Sequence, residues 1–362
     1  MLGMSQVGFA QEFFLFAGTY TGSGSKGIYV YRFNAATGTA EWVSNTDTAF
    51  NPSYLAIAPN GNYVYAVNEN GGADTARVSA YAFDRATGAL TFLNSQPSSG
   101  DHPCYIAVDR SGRWAAVANY TGGNRAIFPI AGDGTLQPYA QVIQDSGSSA
   151  DKERQEKAHV HAAVFSPDDR YLFSPDLGTD NVMIYRFDKN AQQPLTPAPA
   201  AAAKTTAGNG PRHLTFAPNK KFAYLIEELS GTVAAYAYAN GKLTLLQRLS
   251  THPANYTGAK GSADIHLSPD GKFLYASNRG DANSIAVFAV AANGKLQLKG
   301  IQSTLGVHPR NFMIDPTGQY LLVANRDSDA VVIFKRSAAT GLLRDTGKRI
   351  NLPKPVFLQM LK

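Results

Sequence analysis

The chain has 362 residues, of which 44% are hydrophobic, 11% aromatic and 17% charged, with 33 glycines and 19 prolines, the composition of a globular protein with a sizeable core. Its formal net charge of +6 comes from lysines and arginines scattered along the chain rather than gathered into runs, which argues against a nucleic-acid partner and suits an anionic small molecule. The single cysteine, Cys104, excludes an internal disulfide and a cysteine-based zinc site, and no stretch reaches the roughly 20 apolar residues of a membrane helix.

Residues 1–11 lack the charged start and long apolar run of an intact signal peptide. Gly8 and Ala10 before Gln11 resemble the end of a cleavage site, so this stretch is expected to be a trimmed leader or residues left by cloning. Both cytoplasm and periplasm stay open as the compartment. Residues 12–362 are expected to form one domain. Its first segments, "FLFAGTY" (14–20), "GIYVYRF" (27–33) and "AEWVSNT" (40–46), are rich in the β-branched and aromatic residues that suit strands.

Six related units follow at intervals of about 50 residues: "NPSYLAIAPNGNYVYAVNE" from 51, "HPCYIAVDRSGRWAAVANY" from 102, "HVHAAVFSPDDRYLFSPDL" from 159, "GPRHLTFAPNKKFAYLIEEL" from 210, "SADIHLSPDGKFLYASNRG" from 262 and "HPRNFMIDPTGQYLLVANR" from 308. Each reads as a strand, a tight turn and a returning strand, followed by a third strand such as "VSAYAFD" or "VVIFKR" and a less apolar fourth. That period fits a four-stranded propeller blade. The last segment, "KPVFLQML" (354–361), resembles "NPSYLAIA", the first strand missing from the N-terminal unit. The expected fold is therefore an all-β, seven-bladed propeller whose N- and C-terminal strands share one blade, which removes the open sheet edge. Two segments interrupt the pattern: the polar "DSGSSADKERQEKA" (145–158), expected to loop over one face, and "LTPAPAAAAKTT" (195–206), expected to be a flexible connection or a short helical turn.

Antiparallel pairing puts the start of each first strand and the end of each second strand on one rim of the central channel. The first-strand starts carry His159, His161, Arg212, His213, Asp264, Arg310 and Asn311; the second-strand ends carry Asp176, Glu228 and Arg279. Strand geometry requires none of these polar side chains, so their convergence marks a candidate site. His159, His161, Asp176, Arg212, His213, Glu228, Asp264, Arg279, Arg310 and Asn311 are therefore the candidate site residues, with their individual roles open at this point. Asn68, Asn119 and Asn325 are expected to bond neighbouring loops instead. The H-x-H pattern of His159 and His161 with Asp176 is a weak metal signal, and no metal or other cofactor is expected.

These motifs, with "FAGTYTGSGSKGIYVYRF" and "ERQEKAHVHAAVFSPDDRYLFSPDLGTD", resemble the lactonases of seven-bladed propeller fold typified by bacterial 6-phosphogluconolactonase, over almost the whole chain. The resemblance implies hydrolysis of a sugar lactone, phosphorylated or not, with 6-phosphogluconolactone as the default substrate. It places the family's active-site groups on His161, Arg212, Glu228 and Arg279, for which catalytic roles are expected, and leaves substrate binding as the expected role of His159, Asp176, His213, Asp264, Arg310 and Asn311. A fungal branch of the same fold, the carboxy-cis,cis-muconate cyclases, implies lactone formation as the alternative, and a non-enzymatic binding propeller is a third. The chain departs from the family at Glu227, where asparagine is usual, and at Tyr105 and Asp145, where histidine is common. These departures are expected to add negative charge to the site and remove phosphate donors. The sequence leaves the oligomeric state open.

Overall fold

The computed structural model describes residues 11–47, 49–72 and 74–361; nearly all of the expected leader lies outside them. The described strands form seven four-stranded antiparallel sheets around one axis. Blade 1 has Pro355–Leu361 as its innermost strand, followed outward by Glu12–Thr19, Tyr29–Asn34 and Thr39–Asn45. The innermost strands of blades 2 to 7 are Leu55–Ile57, Pro103–Val108, Val164–Phe165, Pro211–Phe216, Ser262–Leu267 and Pro309–Ile314. The ring closes as the repeats predict, with Ala17 opposite Leu358 in the shared blade.

Burial follows each strand's distance from the axis. Second strands such as Trp114–Asn119 and Tyr320–Asn325 are buried throughout, because neighbouring blades cover both faces. The outer strands alternate or are largely exposed, as in Thr39–Asn45. Leu195–Lys204 is the outer strand of blade 4, not the flexible connection or helical turn expected there. An edge strand needs only one row of backbone partners, so Pro197 and Pro199 are tolerated in it.

One irregularity decides what the channel presents. At the start of the innermost strand, pairing skips one residue in blades 1, 3, 5 and 7, leaving Val356, Cys104, Arg212 and Arg310 without a partner across the ladder. Such a bulge breaks the alternation of faces. Two consecutive residues per blade can then face the axis: Cys104 and Tyr105, Arg212 and His213, Arg310 and Asn311. Ser53, Tyr54, Cys104, Arg212, His213, Arg310, Asn311 and Val356 enclose a space of only about 10 Å³, so the channel is closed beneath the mouth.

Candidate active site

Glu228 follows the second strand of blade 5 and ends in the channel mouth, 3% exposed. Its Oε2 accepts from Arg212 Nη1 at 2.6 Å and lies 2.9 Å from Arg279 Nη2; its Oε1 accepts from Arg154 Nη2 at 2.7 Å. Backbone carbonyls fix two of these guanidiniums, with Arg212 Nε donating to Ala263 O at 2.7 Å and Arg279 Nε to Gly261 O at 2.8 Å. Arg212 Nη1 also contacts His161 Nε2. Burial alone would raise the Glu228 pKa, but Arg279, Arg212, His161 and Arg154 together hold it well below the ordinary carboxylate range. Burial, then the Arg212 charge, keeps His161 neutral, with its pKa well below that of free histidine. Burial brings Arg279 down to about 10, which leaves it charged at neutral pH.

Across the mouth stands a second set. Arg310 Nη2 pairs with Glu69 Oε2 at 3.1 Å, Tyr20 OH donates to the same oxygen at 2.9 Å, and the Arg310 guanidinium lies over the Tyr20 ring. Tyr20, Glu69, Tyr120, Glu228 and Arg279 occupy equivalent positions just past the second strands of five blades. Arg154, Arg212, Arg279 and Arg310 face two carboxylates, Glu69 and Glu228, so the mouth carries an excess of positive charge.

The other predicted residues separate into layers. His213, Asp264 and Asn311 lie one layer deeper and bond to each other: Asp264 accepts from His213 Nδ1 at 2.8 Å and Asn311 Nδ2 at 2.5 Å, and pairs with His266 Nε2 at 2.8 Å. This knot ties blades 5, 6 and 7 at the axis. Burial lowers the His213 pKa to about 4 despite its bond to Asp264, whereas Asp264 outweighs burial and raises that of His266. His159 stacks on Tyr120 with ring centroids 4.5 Å apart and pairs with Glu156 at 3.1 Å. The "HVH" stretch joins the blade as expected, through an antiparallel bridge of Val160 to Asp176 in which Leu177 N–H donates to His159 O and His161 N–H to Pro175 O, although the continuous ladder begins only at Val164. Before it, the Asp176 carboxylate takes the backbone N–H groups of His159, Gly178 and Thr179. Asp176 thus organises the approach to the channel; its burial raises its pKa to about 6. Among the described residues no three His, Cys, Asp or Glu side chains form a metal-binding group.

The unusual acidic residues do not charge the mouth. Glu227 is fully buried against Arg248 and accepts from Asn209 and Thr232, while Asp145 pairs with the buried Arg125. Tyr105 packs on Tyr54 at 4.2 Å. The asparagines bond as expected: Asn68, Asn119 and Asn325 donate to the carbonyls of Phe50, Ser98 and Thr304 in connections from the preceding blade. A cavity of about 640 Å³ bordered by Phe50, Asp74, Arg77 and Phe92 sits on blade 2, where Arg77 is already bonded to Ser95 and, among the described lining residues, Asp74 is the other charged one.

The model of the "Lactonase, 7-bladed beta-propeller" family matches residues 14–360. The chain belongs to this family. Among these lactonases, the 6-phosphogluconolactonase of Formosa agariphila is 40% identical, covering 96% of this chain and 99% of its own. The corresponding protein of Bacillus subtilis is 34% identical, covering 96% and 97%. The periplasmic gluconolactonase of Pseudomonas aeruginosa, a solved structure, matches with a TM-score of 0.92 and 39% identity over 97% of this chain and 99% of that one. No helix among the described residues is long and apolar enough to cross a membrane. Within this lactonase fold the predicted quartet His161, Arg212, Glu228 and Arg279 comes together, whereas Arg154, Tyr20 and Tyr120 were not singled out from the sequence. Tyr20 and Tyr120 share the repeat position of Glu228, a usable signal; Arg154 sits in a polar insertion with no repeat equivalent.

Proposed function

We propose that the protein hydrolyses a sugar δ-lactone to its open-chain aldonic acid, with 6-phosphogluconolactone as the default substrate. The observation that carries this reading is a carboxylate, Glu228, held between fixed guanidiniums beside a neutral histidine at the closed end of a polar mouth. Names of relatives similar over nearly the whole chain support the same reaction and substrate class.

Hydrolysis requires a base for the attacking water, donors for the developing oxyanion and a proton for the departing ring oxygen. Glu228, ionised throughout the neutral range, takes the water proton and returns it to the ring oxygen. Arg212 and Arg279 stay charged and supply oxyanion donors; neither can serve as the acid. Neutral His161 bonds to the Arg212 guanidinium and keeps its plane aimed at the mouth. The aldonic acid then ionises and releases one proton, so turnover can be followed by pH-stat against the spontaneous rate. Glu228→Gln and Arg212→Ala are expected to lower kcat/KM by ~10²–10³ while the far-ultraviolet circular dichroism stays that of the parent. Undiminished turnover in both variants rules out this assignment, and a muconate-type acid used in preference to a gluconolactone rules out the reaction.

A further inference from the structure

Arg154 is held differently from the other guanidiniums that touch Glu228. Arg212 and Arg279 are locked by backbone carbonyls through Nε. The guanidinium of Arg154 has two partners among the described residues, the Tyr120 hydroxyl at 3.2 Å and Glu228 Oε1 at 2.7 Å, and its side chain is 46% exposed. Its backbone, by contrast, is pinned. The next residue, Gln155, is fully buried, donating to Leu177 O at 2.8 Å and to Asp180 Oδ2 at 2.7 Å, while Asp151 Oδ1 accepts the N–H groups of Glu153 and Arg154. A fixed backbone thus carries a half-exposed side chain that reaches the carboxylate from the open mouth.

The two Glu228 oxygens are correspondingly unequal. Oε2 is shared by the two fixed arginines, whereas Oε1 has Arg154. Removing Arg154 from Oε1 exposes a lone pair and makes the carboxylate more basic, because one of its neighbouring cations is gone. Aldono-δ-lactones carry no free carboxylate until the ring opens. The anion such a substrate brings before the chemistry is a phosphate ester, whose three oxygens and charge near −2 compete with one carboxylate for a guanidinium fork.

We propose that Arg154 is a substrate-sensing latch, which neutralises Glu228 in the resting site and is drawn onto the phosphate of a phosphorylated lactone, freeing Oε1 to accept the water proton. The proposal rests on the lactonase reading and gives it a substrate class. Towards Glu228 Arg154 is a positioning residue, and towards the phosphate it is a substrate contact. The charged and titratable groups facing Glu228 from the surrounding elements are Arg279, Arg212, His161 and Arg154, with Tyr120, Cys104 and Arg310 farther out.

The test compares 6-phosphoglucono-δ-lactone with glucono-δ-lactone by pH-stat in the parent, Arg154→Ala and Arg154→Lys. The parent is expected to favour the phosphorylated lactone in kcat/KM by ~10-fold or more, the size of one charge-assisted hydrogen bond. Arg154→Ala is expected to abolish the preference, with a fall on the phosphorylated lactone at least ~10-fold larger than any change on glucono-δ-lactone. Its acid limb on glucono-δ-lactone should also move to higher pH. Arg154→Lys, which keeps the charge but not the fork, should retain part of the preference. A parallel loss on both substrates, an unmoved acid limb or a parent without preference overturns the latch. A parent inert on both lactones overturns the lactonase reading itself.

Discussion

Replacing Asp264 with Asn tests whether the deeper layer of the channel is framework or binding surface. Asp264 is 1% exposed, and its two oxygens meet His213, His266 and Asn311 as well as the N–H of Ile265 at 3.0 Å. A carboxamide accepts through one oxygen only. If that oxygen serves His213, the new NH₂ faces Asn311 Nδ2, which cannot reverse its amide because its own oxygen accepts from Leu358 N at 2.8 Å. At least two bonds to a charged acceptor are lost, at about 1.5–3 kcal/mol each. The net destabilisation is about 3–5 kcal/mol, as for a broken buried ion pair. For a chain of 362 residues that is a fall in Tm of roughly 4–7 °C by differential scanning calorimetry.

The sign of the pH dependence is also fixed. The folded-state pKa of His266 is raised, so its pairing contributes fully below the unfolded value near 6.5 and fades as pH rises through the folded value. That of Asp264 is depressed, so its contribution is present above about 3.8 and is lost at lower pH. The Tm gap between parent and variant should therefore be widest at pH 5–6 and narrow towards pH 9. KM for the lactone should stay within about twofold, because the carboxylate lies beneath the mouth. An unchanged Tm, or a loss of turnover without a loss of Tm, refutes the framework role and restores Asp264 as a substrate contact.

Other outcomes follow from the same geometry. Because Glu228 and His161 both have depressed pKa values, both are unprotonated above pH 6, and kcat/KM should be flat from pH 6 to 8 and fall only at lower pH; an inflection near 6.5 would contradict this. Arg125→Met leaves Asp145 buried without its partner and should destabilise by about 3–5 kcal/mol in urea unfolding while KM is unchanged. A Cβ on Gly178 would stand 1.8 Å from Lys157 O, so Gly178→Ala should shift the insertion that carries Arg154 and lower kcat/KM on a phosphorylated lactone by ~10-fold or more; unaltered kinetics would show that the insertion tolerates displacement.

The repeat spacing was sufficient to read the ring, the blade order and the shared closing blade, because each is written in periodic apolar patterns that survive local variation. The polar rim was legible for a related reason: Arg212, Glu228 and Arg279 sit where the strand pattern does not call for charge, and the family resemblance then drew the quartet out of that rim. What escaped were features that break the period. The bulges at Cys104, Arg212 and Arg310 turn two successive residues towards the axis, so alternation could not separate the mouth from the layer below, where His213, Asp264 and Asn311 lie. The surroundings of His159 escaped too, because its ring partners, Tyr120 and Glu156, lie outside the strand in which it was noticed. Glu227 and Asp145 looked like added charge because their partners, Arg248 and Arg125, come from strands outside the motif in which each was noticed.

The shared blade has a temporal consequence. Residues 355–361 form its innermost strand, and Val356 closes one side of the space below the mouth. Synthesis from the N-terminus therefore exposes Glu12–Thr19 with one long edge unpaired until nearly the whole chain exists. Blades 2 to 7 can assemble in order as they emerge, but the sequence separation of this last pairing makes it the slowest contact to find. A nascent chain halted before residue 355 would be an open arc with an adhesive strand at one end, and the surrounding cell must keep that edge occupied until the circle is completed.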